Sequence, residues 1–109
     1  FDAQRFIEAL YRAYRLIISD DKMGATVPLE RIYDVFTLLP GTAAEYGKAD
    51  FGRDLLLLDR SGITRTRKGA VVSLPASTGT KGSRSTLSIV GPDGHVVTFY
   101  GIRFAKRSP

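Results

Sequence analysis

Near the start of the chain the apolar residues Phe6, Ile7, Leu10, Tyr14, Ile17 and Ile18 recur every three or four positions, while Arg5, Glu8, Arg12 and Arg15 share the opposite arc. That period predicts an amphipathic helix over residues 2–19 that buries one stripe. The run Ser19-Asp20-Asp21-Lys22-Met23-Gly24 breaks it with turn formers and a glycine suited to ending a helix. Thr26 and Val27 predict a very short extended piece. Pro28 then suits a first helical turn, and Leu29, Ile32, Val35, Phe36 and Leu39 keep helical spacing, which predicts a second helix over 28–39. Pro40-Gly41 ends it. Residues 42–47 read as a connection or one loose helical turn, and a third helix is expected over 48–60, closed by Ser61-Gly62.

Beyond Gly62 the period turns from helical to extended. Residues 63–67 are rich in threonine and arginine, and 69–74 contain Val71 and Val72 before Pro75, which predicts two short strands or one bent strand. Residues 76–85, small and hydroxylated with Gly79 and Gly82, have the composition of a mobile loop that carries Lys81 and Arg84. Residues 86–90 and 95–104 are β-prone and flank Gly91-Pro92-Asp93-Gly94, a turn signal that predicts a hairpin. On the later segment Val96, Thr98, Tyr100, Ile102 and Phe104 are expected on one face and Val97, Phe99, Gly101 and Arg103 on the other. Both faces are partly apolar, so at least one is buried. The tail Lys106-Arg107-Ser108-Pro109 is basic and expected to fray. The fold class that follows is α+β: three N-terminal helices, then a small antiparallel β-sheet of about three to five strands.

A length of 109 residues fits one domain, residues 1–109, and a chain opening on Phe1 in place of methionine reads as part of a longer protein. With 43% hydrophobic and 25% charged residues the composition is that of a folded chain. Without cysteine there is no disulfide framework and no thiolate metal site, and a reducing compartment, the cytoplasm by default, is permitted. The longest apolar stretches, such as 55–58, fall far short of the roughly 20 residues of a membrane span, so no membrane partner is expected. The distribution of charge narrows the function more than the total of +5: residues 1–60 hold eight Lys/Arg against ten Asp/Glu, and residues 61–109 hold eight against one. So basic a second half points to a polyanion, nucleic acid first among them, because each phosphate contact releases counterions. The plainer alternative is a solubilising basic surface.

Three helices followed by a basic β-hairpin with a flexible loop is the order of elements in the winged-helix family, and from Thr26 to Val90 the chain resembles that family in pattern. The resemblance implies that 28–39 and 48–60 form a helix-turn-helix pair, with the later helix offered to the DNA major groove and 76–85 as the wing. The sequence departs from the pattern in the long 40–47 connection, in Gly52 inside the reading helix, and in the extra strand length after the wing. Projection of the third helix puts Phe51, Leu55 and Leu58 on the core face and Ala49, Arg53, Leu56 and Arg60 on the opposite arc. Arg53 is the first candidate reader of bases, unless it is paired with Asp50 or Asp54, and Arg60 is the second. Gly52 costs about 1 kcal/mol against alanine in a helix, so either the helix starts later or something approaches its backbone closely. In the basic half Arg65 and Arg67 share one strand face and Lys68 takes the other. With Lys81 and Arg84 on the loop and Lys106 and Arg107 in the tail, they form the expected phosphate-tracking set. Phe99 and Tyr100 read as core first and as base-stacking platforms second.

Signs of catalysis are weak, so a non-catalytic module is expected, with no cofactor. His95, the one histidine, follows a turn and reads as a turn-edge polar residue. Without cysteine it builds no zinc site, and Asp20, Asp21, Asp50, Asp54 and Asp59 follow no metal-loop signature. Gly79-Thr80-Lys81-Gly82-Ser83 lacks the spacing of a phosphate-cradling loop. The expected partner is therefore nucleic acid, duplex DNA first. The rival is a protein-interaction or dimerisation module that uses Leu56, Leu57 and the first helix as its sticky face.

Overall fold

In the computed structural model the helical half builds from its caps inward. The structure describes residues 1–40, 42, 44–74, 87–90, 94–99 and 101–106, with backbone only for 87–90 and 106. Helix α1 (Ala3–Ile17) is started by Asp2, whose carboxylate accepts the Arg5 N–H at 3.1 Å, and it buries Phe6, Ile7, Leu10, Ala13 and Tyr14, the stripe its spacing predicts. A 3₁₀ turn (Asp20–Lys22) follows, and Arg15 closes on Asp20 at 2.6 Å. The buried Tyr14 side chain ties this turn region to the helix: its hydroxyl donates to the Ala25 carbonyl at 2.5 Å and accepts the Gly24 N–H at 3.2 Å.

Strand β1 (Val27–Pro28) is the short extended piece, and it leads directly into helix α2 (Leu29–Phe36). The second helix ends three residues before the expected Leu39. The amides of Leu38 and Leu39 bond back to Val35 and Phe36 in three-residue steps, and the Thr37 hydroxyl takes the Asp34 carbonyl. Pro40 accounts for this, since a residue before proline resists the α region and the last turn tightens instead. Helix α3 (Lys48–Ser61) starts at Lys48, with the Asp50 carboxylate reaching back to the Gly47 N–H at 2.9 Å, and ends on Gly62 at φ +80°. Gly52 is buried within it, so the helix does not start later to avoid that glycine.

Strands β2 (Ala70–Ser73), β3 (Leu87–Val90), β4 (Val96–Phe99) and β5 (Gly101–Lys106) complete the chain. They form two antiparallel units, a sheet of order β1-β5-β2 and a β3-β4 hairpin. The hairpin pairs Val90 with Val96, where the turn signal places it. The single strand expected over 95–104 is instead split. Val97 and Phe99 face inward on β4, but on β5 the buried side chains are those of Ile102 and Phe104, so the inward parity changes between the two strands and each joins a different unit. The expected common face through Val96, Thr98, Ile102 and Phe104 is therefore broken: one uninterrupted strand has a period of two and would expose either Phe99 or Ile102. Nor do residues 63–67 form a strand: only Arg65 bridges, to Val71.

The core lies between α1, α2, α3 and the sheet. The Phe6, Phe36 and Phe51 rings meet at centroid distances of 5.5 to 6.2 Å, and Tyr11, edge-on, and Tyr14, tilted, meet Phe104 at 5.0 and 5.3 Å. Where β1 crosses β5, Gly101 permits the approach: a Cβ there would lie 2.7 Å from the Val27 carbonyl oxygen and from Thr26 Cγ2. The architecture is α+β with the helices N-terminal, and no described helix is long and apolar enough to cross a membrane.

Candidate nucleic-acid interface

After α3 the chain makes a tight hairpin of its own. Thr66 and Ala70 are linked by the Thr66 N–H to the Ala70 carbonyl at 2.9 Å, and the Ala70 N–H returns to the Thr66 hydroxyl at 3.0 Å. Thr66 is thereby a buried polar residue with its hydrogen bonds satisfied. Arg67, Lys68 and Gly69 form the three-residue tip, and Gly69, at φ +92°, takes the left-handed position that such a loop requires. Both cations at the tip are exposed.

The tip is tied to α1 by polar contacts. Glu8 accepts the Arg67 backbone N–H at 2.8 Å, while Gln4 Nε2 donates to Glu8 at 2.7 Å and to the Arg65 carbonyl at 3.2 Å. A carboxylate taking a backbone N–H holds the turn without neutralising either cationic side chain.

Register places a second pair of cations. Arg65 bridges Val71, and Val71 pairs with Ala105, so these three share one sheet face; Arg103, two residues from Ala105, lies on that face too, opposite Ser73. Ile102 and Phe104 are buried on the other face, whereas Arg65, Arg103 and Ala105 are exposed. Across two strand spacings Arg65 stands about 10 Å from β5. Arg103 is absent from the set expected on sequence grounds. Its strand parity was readable, but which face meets solvent depends on the change of parity after β4.

Helix α3 contributes less. Arg53 is exposed but lies 3.8 Å from Asp50 and 3.5 Å from Asp54, so it sits in the paired alternative. Arg60, in the last turn, is exposed and has no partner among the described residues. The arc expected to face outward is interrupted, because Leu56 is only 6% exposed while Leu57 is 39% exposed. Strand β3 runs beside α3, which covers the helix on a second side. Of the sticky face expected from Leu56, Leu57 and the first helix, Leu56 is buried, while Leu57 and, on α1, Leu16 are exposed. Between Lys48 and Ser61 three cations, Lys48, Arg53 and Arg60, meet three acids, Asp50, Asp54 and Asp59, so the helix carries no net charge.

Of the remaining expected residues, Lys81, Arg84, Arg107 and Tyr100 lie outside the described residues, and Lys106 is described only as the backbone position paired with Ala70. Phe99 is buried, as a core residue is. His95 is exposed beside β4, and among the described residues no three His, Asp or Glu side chains are placed to share a metal ion. Every ion pair among the described residues joins side chains between Arg15 and Asp54, and Arg65, Arg67, Lys68 and Arg103 take part in none. Compared with known proteins, the chain matches no family model, and no curated protein or solved structure matches it.

Proposed function

We propose that this domain is a non-catalytic nucleic-acid-binding module of winged-helix type that grips duplex DNA chiefly through the hairpin and sheet face of its second half. Helices followed by a small antiparallel sheet are compatible with that arrangement. The observation that carries the reading is electrostatic: Arg65, Arg67, Lys68 and Arg103 are exposed, belong to one connected β-unit, and have no acidic partner among the described residues. Such cations can exchange counterions for phosphates without first giving up an internal partner. Lys81, Arg84, Lys106 and Arg107 add charge from the loop and tail. Arg53 and Arg60 supply the helix contact, Arg53 after release from weak exposed pairs.

Polarisation titrations against duplex DNA, single-stranded DNA and RNA at two salt concentrations test this. If four phosphates are neutralised, log K should fall against log salt with a slope of about −3.6 on duplex DNA. Reversing Arg65, Arg67 and Arg103 to glutamate should remove most of that slope together with the binding. A flat salt response, or unchanged affinity in the triple variant, would sink the proposal.

A further inference from the structure

A second concave surface lies on the helical half and makes no use of the basic hairpin. It is a groove of about 480 Å³ between α1 and the segment that follows α2. Phe6, Phe36 and Leu39 give it an apolar lining, and Tyr46 borders it. Arg5, Ala9 and Arg12 line it from α1 at four- and three-residue spacing, a single helical stripe with a small residue between two cations.

The charges along this groove are unequally committed. Its two carboxylates are already engaged: Asp2 takes the Arg5 backbone N–H at 3.1 Å, and Asp54 accepts the Tyr46 hydroxyl at 2.7 Å while Arg53 Nε stands 3.5 Å away. The Arg5 and Arg12 side chains are exposed and have neither an ion pair nor a hydrogen bond among the described residues. They are seven positions apart on one helix, which separates their Cα atoms by about 10.5 Å along its axis. A bare phosphate backbone would satisfy the two guanidiniums but leave the apolar lining wet. An apolar side chain alone would do the reverse. A ligand matching both needs an apolar centre flanked by carboxylates; on an extended peptide the side chains two residues to either side of an apolar residue share its face about 13 Å apart, a span two long arginine side chains can meet.

We infer that this groove docks a short acidic peptide segment of a partner protein, with an apolar side chain seated over Ala9 and carboxylates paired with Arg5 and Arg12. The site is distinct from the basic β-unit and does not depend on what that unit binds. Asp2 and Asp54 balance the two arginines in formal charge, but only the arginines lack a partner, so it is a carboxylate on the ligand that this groove can newly pair.

The probe is a dye-labelled hexapeptide with a central tryptophan–leucine pair and two acidic residues on either side, followed by fluorescence polarisation with the whole chain. Binding in the micromolar to millimolar range is expected, and Arg5→Glu/Arg12→Glu should weaken it about tenfold. Both side chains are exposed and unpaired, glutamate at position 5 suits the first turn of α1, and glutamate at position 12 is a good helix former, so the variant keeps its thermal melt. Replacing the tryptophan–leucine pair by serines, or the acids by their amides, should each cost a comparable factor. The inference is overturned if the hexapeptide does not bind in the millimolar range, or if the double variant binds it as tightly as the original chain. It is equally overturned if the serine peptide binds as well as the parent, or if duplex DNA displaces the peptide from the original chain, since the arginines are then a general anion surface.

Discussion

Tyr46 shows how one side chain sets a local requirement. Its hydroxyl donates to Asp54 at 2.7 Å and its ring lies against Phe36 at 5.6 Å, which bridges the 42–47 connection to α3. Burial, and then the bond to the Asp54 carboxylate, push its phenol well above the usual tyrosine range. Because the folded-state value is raised, its stabilising contribution is complete below about pH 10, where the unfolded phenol is still neutral, and declines as pH rises beyond that. Tyr46→Phe should cost about 1 kcal/mol at neutral pH in a denaturant titration and should lessen the alkaline fall in stability. Gly101 is a second such position. Any side chain there meets the Val27 carbonyl oxygen, a backbone atom with no rotamer to give, so Gly101→Ala should lose about 1–3 kcal/mol, visible as a lowered melting temperature. Nothing in the bare sequence distinguished this glycine from one on a strand face, because the close approach exists only once β1 has crossed β5.

Elements were legible where local pattern decides them and illegible where packing does. Periodicity, Asp2 and Gly62 placed α1 and α3 to within two residues, and the Pro-Asp-Gly turn placed the β3-β4 hairpin. The 95–104 segment was misread as one strand because both of its faces are apolar, and only the partner units determine where parity changes. The hairpin tip at Arg67 and Lys68 was also hidden, since its fastening to α1 through Glu8 and Gln4 spans about sixty residues of sequence. Glu8→Ala should therefore speed hydrogen exchange at the Arg67 amide while leaving α1 amides protected. If the hairpin is the phosphate grip, the same change weakens DNA binding modestly without altering the number of cations. On α3, Leu56 and Leu57 are adjacent and chemically identical but differ in burial. Leu56→Ala should cost about 2–4 kcal/mol, whereas Leu57→Ala should change a chemical melt little.

At the scale of the whole molecule, the charge imbalance read from the sequence becomes a difference in ion pairing between the two halves. Every ion pair among the described residues lies in the first half, where Arg15, Lys48 and Arg53 are paired while Arg5, Arg12 and Arg60 are not; the described cations of the second half take part in none. The candidate site was partly legible for that reason: composition identified Arg65, Arg67 and Lys68, register added Arg103, and the neutral, partly covered α3 reduced the weight of Arg53. A salt series on the intact chain should accordingly show a steep slope that survives Arg53→Gln. The pairing of β1 with β5 also governs how the molecule is made. Val27 and Pro28 leave the ribosome more than seventy residues before Gly101 and Ile102 of β5, the residues they pair with. Ile102 and Phe104, fully buried, arrive with that strand. A nascent chain that has emerged only through its third helix thus lacks the wedge that closes its interior, and native packing of these helices has to await the emergence of β5. Chains ending before Gly101 should retain helical far-ultraviolet dichroism but lose the sharp, cooperative thermal transition of the intact domain.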